Sequence, residues 1–272
     1  MSGYESHRAR KRFGQNFLVD RAVIERIVRA IDPQPDDRMI EIGPGRGALT
    51  HALLDRLSRL DVIEIDRDLS AALAERGPAD RLRVHSADAL KYDFAAAGPR
   101  LRVVGNLPYN ISSPLLFRLL ECANSLLDIH VMLQREVVER MVARPGSADY
   151  GRLTVMLGYR FEIERLFLVP PGAFRPQPKV ESAFARLRPR AVPEAAARDE
   201  AMLARVVTLA FGQRRKTLRN ALAPIADADR LRAAGIDPQA RGETLSIAQF
   251  VMLVNAVSDA GDGASPAQPT LR

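Results

Sequence analysis

Met39-Ile-Glu-Ile-Gly-Pro-Gly-Arg-Gly-Ala48 is the stretch that decides the fold of this chain. Four residues suited to a buried strand run directly into glycines at 43, 45 and 47. Leu49, Leu53, Leu54 and Leu57 then share one face of a helix. A strand, a glycine turn and a helix in that order read as the cofactor-binding start of an α/β unit.

The pattern extends in both directions. Upstream, Asp20 is placed to cap a helix carrying Val23, Ile24, Ile27, Val28 and Ile31, and Asp32-Pro33 ends it. Downstream, strands are expected over 60–65, 82–85, 101–104 and 129–133, with helices over 68–76, 114–122 and 136–143. Such alternation predicts a doubly wound, Rossmann-like and mostly parallel α/β sheet. Ligands of these sheets bind at the carboxyl ends of the strands. Gly43, Glu64, Asp88 and Asn106 all fall at such ends, so one rim collects them.

Beyond Phe161 the pattern changes. Strands over 161–169 and 182–187 flank a proline-rich loop, 170–178, and are expected to pair antiparallel at one edge of the sheet. Residues 188–197 are rich in Pro and Ala and read as a linker. Apolar helical segments follow at 202–211, 218–222 and 247–257, with no strand candidate, which indicates a small all-helical C-terminal domain. The expected division is 1–190, 191–258 and a tail, 259–272, whose Gly, Ala, Pro and Ser content predicts disorder.

Composition narrows the functional classes. In 272 residues, 47% are hydrophobic, which argues against general disorder, and no apolar run is long enough to span a membrane. The polar, basic N-terminus has no apolar segment to serve as a secretory signal, so a cytoplasmic location is expected. Cys122 is the only cysteine and sits on an apolar helix face. None of the four histidines has a ligand partner at metal-binding spacing, so no metal is expected. The net charge of +7 points to a polyanionic partner, although 36 of the 40 basic residues are Arg, a bias that GC-rich codons also produce. Two local clusters carry more weight: His7, Arg8, Arg10, Lys11 and Arg12, and then Arg214, Arg215, Lys216 and Arg219. Arg215 and Arg219 would share a helix face suited to RNA phosphates.

Two cofactors fit the glycine motif. With Ala48 in the last position it matches G-x-G-x-x-G/A, and Glu64 follows at about twenty residues, as a nicotinamide dinucleotide requires. The glycines fit G-x-G-x-G at least as well, with Glu41 just before them, and Asp88 adds an acceptor after the third strand. S-adenosylmethionine needs that set: small residues beside its methionine part, a carboxylate for its ribose and an acceptor for its adenine.

Asn106-Leu-Pro-Tyr109, at the end of the fourth strand, suits an adenine amine. That nitrogen is a poor nucleophile because its lone pair is delocalised into the ring. The Asn106 amide oxygen and a carbonyl of Leu107 or Pro108 would accept its N–H groups, while Tyr109 offers a face for a flipped base to stack on. The same four residues also suit an ordinary strand-ending turn.

Taken with Gly14-Gln-Asn-Phe-Leu18, Glu64-Ile-Asp66, Leu133-Gln-Arg-Glu136, Tyr150-Gly-Arg-Leu153, the 174–182 segment and Phe211-Gly-Gln-Arg-Arg-Lys-Thr-Leu218, these motifs resemble the ribosomal RNA adenine dimethyltransferases. Within them the match is to the bacterial small-subunit branch linked to kasugamycin sensitivity, and it spans residues 11–222. The resemblance implies transfer of methyl groups from S-adenosylmethionine to two adjacent adenosines near the 3′ end of small-subunit rRNA, by a monomeric enzyme acting on the small ribosomal subunit. It implies that Asn16, Leu18, Gly43, Gly45, Glu64, Asp88 and Asn106 hold the cofactor, with Gln15 also within reach. Phe174 is either a second stacking face for the base or a core residue anchoring its loop. The rival readings are a large-subunit rRNA adenine methyltransferase conferring macrolide resistance and a non-catalytic RNA-binding assembly factor.

Overall fold

The computed structural model describes residues 15–191, 196–213 and 215–262, with side chains to 257 in the last helix. They divide into two compact units: one contains residues up to Val142 together with Phe161–Pro189, and the other Ala143–Arg160 together with the chain from Arg190 onward.

In the first unit the chain runs β1 (Phe17–Leu18), α1 (Arg21–Ile31), β2 (Met39–Ile42), α2 (Ala48–Leu54), β3 (Leu60–Glu64), α3 (Arg67–Arg76), β4 (Leu82–Ser86), β5 (Leu101–Asn106), α4 (Ser112–Glu121), β6 (Leu126–Gln134) and α5 (Arg135–Met141). The second unit contributes α6 (Arg152–Arg160). The chain then returns to the first unit through β7 (Phe161–Val169), β8 (Phe174–Arg175) and β9 (Ser182–Pro189). The Asp20 carboxylate caps α1, accepting from the N–H groups of Ala22 and Val23 at 2.9 and 3.2 Å. It thereby satisfies donors that have no partner within the helix.

Seven strands form the main sheet in the order β4-β3-β2-β5-β6-β9-β7. β2 to β6 are mutually parallel, and β9 lies antiparallel between β6 and β7, which forms the expected antiparallel edge. From β2 the chain steps outward to β3 and β4, then crosses back to β5 on the other side. The winding direction therefore reverses between β2 and β5, and a crevice opens there at the carboxyl ends. The two strands sit close at that point: a Cβ on Gly105 would lie 2.5 Å from the Ile42 carbonyl oxygen, so only glycine fits.

Ile27, Ile31, Leu53, Leu57, Leu60 and Val62 pack in the core, each at most 2% exposed. Below the crevice one ion-pair hub ties several segments together. Arg102 on β5 donates two hydrogen bonds to Asp128 on β6, at 3.0 and 2.8 Å, one to Asp37 at 2.6 Å and one to the Ile31 carbonyl at 2.6 Å. The guanidinium thus closes the end of α1 as well as joining two strands.

The second unit holds α6 with α7 (Glu200–Gly212), α8 (Leu218–Ala221), α9 (Ala228–Ala233) and α10 (Ile247–Asp262), and no strand among the described residues. Its core includes Leu203, Val206, Val207, Phe250, Val251 and Val254. The Tyr150 hydroxyl donates to the Leu245 carbonyl at 2.8 Å, and Phe211 packs between Tyr150 and Phe250. Sequence placed residues 143–160 with the first domain and assigned no helix at 152–160; in the structure they pack with the C-terminal helices. α10 also runs to Asp262, so residues 259–262 are helical rather than part of the tail, and 263–272 lie outside the described residues. Among the described residues no helix is long and apolar enough to cross a membrane.

Candidate active site

A cavity of about 330 Å³ opens at the crevice. Gly43, Gly45, Glu64, Asp88, Asn106, Leu107, Pro108 and Tyr109 all line it, as do Gln15, Asn16 and Leu18.

The glycine turn forms one wall. Gly45 has a φ of 56°, and a Cβ there would meet the Phe17 ring at 2.9 Å, so the turn is closed to larger residues both by conformation and by space. Glu64 holds the turn in place: its Oε2 accepts from the Gly45 N–H at 3.1 Å and its Oε1 from the Asp66 N–H at 2.9 Å. Burial raises the Glu64 carboxyl above its ordinary value, and these two donors oppose that by favouring the charged form. Asp88 accepts from the Leu90 N–H at 2.9 Å through Oδ1. Ile65, between Glu64 and Asp66, lines the cavity while 47% exposed. An aliphatic side chain left bare there offers an apolar surface to a flat ring.

The N-terminal segment crosses this wall as a strap. β1 pairs antiparallel with β8, Phe17 lies under the Arg46 guanidinium at 4.8 Å, and Gln15 Nε2 donates to Asp66 Oδ2 at 3.2 Å. The Asn16 carbonyl accepts from Asn106 Nδ2 at 2.9 Å. With its amino side taken up in this way, the Asn106 amide has its oxygen left as the acceptor. The neighbouring turn is equally specific. The Pro108 carbonyl accepts from both the Ile111 N–H and the Ser112 hydroxyl at 3.1 Å, whereas the Leu107 carbonyl has no donor among the described residues. The Tyr109 hydroxyl shares a 2.8 Å hydrogen bond with Ser182, which is fully buried at the start of β9.

A compact aminoacyl nucleoside fits this arrangement: a turn bare of side chains, two accepting carboxylates from successive strand ends and an apolar wall between them. No group of three or more metal-ligating side chains occurs among the described residues.

The profile of the ribosomal RNA adenine dimethylase family matches residues 6–259. The chain belongs to this family. It is 58% identical over 252 residues to "Ribosomal RNA small subunit methyltransferase A" of Aromatoleum aromaticum, covering 93% of this chain and 95% of that protein. A solved dimethyladenosine transferase from Plasmodium falciparum shares the fold, with a TM-score of 0.78 over 90% of this chain and 98% of that one, at 24% identity. The 23S rRNA methyltransferase ErmE gives 0.69 at 31% identity, over 89% and 100%. As a member of the family, this dimethylase methylates ribosomal RNA and takes its methyl group from S-adenosylmethionine.

One site residue inferred from the dimethylase's sequence does not reach the cavity. Phe174 is fully buried, pairs through β8 with Leu18 and packs in the core, so it anchors the loop and presents no face to a base. Arg215 and Arg219 do not share a helix face. α8 begins only at Leu218, after Thr217, so Arg215 and Lys216 lie in the preceding turn. Both are exposed, as is Arg219, and the structure brings Arg241 beside them. The N–H groups of Leu218 and Arg219 donate to the carbonyls of Ala240 and Pro238 at 2.8 and 3.0 Å. Nothing in the local sequence of Arg241 marks this proximity. Arg10, Lys11, Arg12 and Arg214 lie outside the described residues.

Proposed function

We propose that this dimethylase methylates the N6 amines of two adjacent adenosines in a hairpin near the 3′ end of small-subunit rRNA, converting each to N6,N6-dimethyladenosine. It would do so as a monomer in the cytoplasm. The observation that carries the reading is the fixed amide of Asn106, whose amino group is held by Asn16 and whose oxygen remains to accept from an adenine amine at the cavity mouth. The name borne by a relative of 58% identity supports the choice of the small subunit.

Gly43, Gly45, Glu64, Asp88, Asn16 and Leu18 would hold the cofactor, which when bound supplies a methyl group on a sulfonium, already a good leaving group. The protein's part is to orient and desolvate. Asn106 Oδ1 and the Leu107 carbonyl each accept one N–H of the target amine, turning its lone pair away from conjugation with the ring. The Pro108 carbonyl, occupied twice within its own turn, takes no part. Tyr109 presents a ring face to the base, held in orientation through Ser182. No side chain need act as a base, because the amine becomes strongly acidic as the new bond forms and its proton can leave to water. The exposed cations Arg215, Lys216, Arg219 and Arg241 would meet rRNA phosphates.

Labelled methyl transfer to small subunits lacking the modification, followed by nucleoside analysis, tests the proposal. Dimethyladenosine in small-subunit RNA is the expected product. Label in large-subunit RNA alone would refute the subunit assignment.

A further inference from the structure

One carboxyl group in the cavity wall has, among the described residues, neither a charge partner nor a backbone N–H donor, only a neutral hydroxyl. Glu41, on β2, is 2% exposed, with Val62 on β3 and Val104 on β5 as its register neighbours. Its Oε2 accepts from the fully buried Thr50 hydroxyl of α2 at 2.6 Å, and no other hydrogen bond or ion pair reaches it among the described residues. Among the described residues, no nearby ionisable group compensates it. The His51 ring lies against Gly47, and the Arg46 guanidinium lies over the Phe17 ring. Glu64, from β3, faces it as a second carboxyl, with Asp66 beyond, while the end of β5 offers only the neutral Asn106.

Two buried carboxyls without a cation cannot both ionise cheaply. Glu64 accepts two backbone N–H groups, which favour its charged form, whereas Glu41 has one neutral hydroxyl. The proton therefore belongs on Glu41. Burial pushes its carboxyl up to about 8, with Thr50 opposing and Glu64 adding to the rise.

We propose that Glu41 holds a proton in the free enzyme and releases it to solvent when the cationic groups of the cofactor enter the cavity. Cofactor capture and proton release are then one linked event. The inference rests on the assignment of this cavity to S-adenosylmethionine. It makes cofactor affinity rise with pH on the acid side of the Glu41 transition, by at most about tenfold per pH unit for one proton. Below that transition the carboxylic acid must first be ionised, and above it the site already carries both carboxylates.

Calorimetric titration of the full-length protein with S-adenosylmethionine near neutral pH, in buffers of different ionisation enthalpy, counts the protons. The wild type is expected to release most of one proton per cofactor bound. Glu41→Gln, which keeps an acceptor for Thr50, is expected to bind with no buffer-dependent heat. Binding by the wild type without proton release would overturn this proposal and leave the cavity assignment standing. Proton release by Glu41→Gln equal to that of the wild type would also overturn it. A wild-type protein that does not bind the cofactor would overturn both. Should Glu41→Gln not fold, infrared difference spectra of the wild type read the same event. The carboxylic acid C=O band disappears on binding if the proposal holds and persists if it does not.

Discussion

The backbone carbonyl of Asn16 accepts a hydrogen bond from the Asn106 side-chain amide at 2.9 Å, across 90 residues of chain. A planar amide held by its nitrogen has its oxygen directed by the same interaction. The N-terminal strap that lines the cavity therefore also fixes which end of the Asn106 amide is held. Asn106→Ala is expected to lower kcat by about 10²–10³-fold, the usual cost of losing one preorganised polar group at a reacting centre. Cofactor affinity should fall much less. Single-turnover methyl transfer alongside cofactor titration separates the two, and unchanged kcat would remove Asn106 from the reaction.

The roles proposed for Tyr109 and Ser182 separate stacking from orientation. Tyr109→Ala removes the ring and should raise the KM for rRNA substrate by a factor corresponding to about 1–3 kcal/mol, the range for one stacked base. Tyr109→Phe and Ser182→Ala lose only the 2.8 Å hydrogen bond and should each cost less than about tenfold in kcat/KM. If the double variant Tyr109→Phe/Ser182→Ala lost the product of the two single effects, the hydrogen bond would not be their link.

Gly45→Ala places a Cβ 2.9 Å from the Phe17 ring at a φ of 56°. The backbone alone costs about 1–2 kcal/mol, and the ring must also move, disturbing the strap. Gly146→Ala is the control: its φ is 84° but a Cβ there meets nothing within 4 Å. Both variants should melt at lower temperature, and only Gly45→Ala should weaken cofactor binding, by about tenfold for each 1.4 kcal/mol of disturbance.

Removing Arg102 leaves Asp128 and Asp37 without their shared cation below the crevice. Arg102→Ala should destabilise the protein by about 3–5 kcal/mol, as breaking a buried pair generally does. Denaturant unfolding reads this directly. Burial would raise the Asp128 carboxyl, but His130 at 3.5 Å and the Arg102 guanidinium outweigh it and hold the carboxyl below its ordinary value of 3.8. A carboxyl lowered on folding contributes stability fully above its unfolded value and loses it as pH falls through the folded one. The cost of Arg102→Ala should therefore be largest near neutral pH and shrink in acid.

For the basic turn, Arg219→Gln and Arg241→Gln should weaken rRNA binding to similar extents. Removing one cation that sits on a phosphate should reduce the slope of log affinity against log salt by about 1. A variant with the same slope as the wild type shows that its arginine meets no phosphate.

The sheet was readable along the chain because its determinants are local. A strand such as β2, buried along its whole length, reads as a short run that is apolar apart from Glu41, and the glycines, Glu64, Asp88 and Asn106 stand at strand ends. Their common rim therefore follows from the order of elements along the chain. What the sequence by itself determined is the set of groups available to the site and the edge of the sheet on which they stand. Only the tertiary structure decided how those groups are used. Phe174 and Tyr109 are both aromatic residues beside prolines or close to them, yet one is sealed in the core and the other lines the cavity. Asn106 owes its orientation to Asn16, Tyr109 to Ser182 at 73 residues' separation, and Arg241 its position to the turn before α8. The grouping of residues 143–160 with the C-terminal helices is of the same kind. Periodicity reports which face of an element is buried, because that depends on near neighbours in sequence. Which atom of a side chain is occupied, and by what, depends on partners brought together only when the chain has closed.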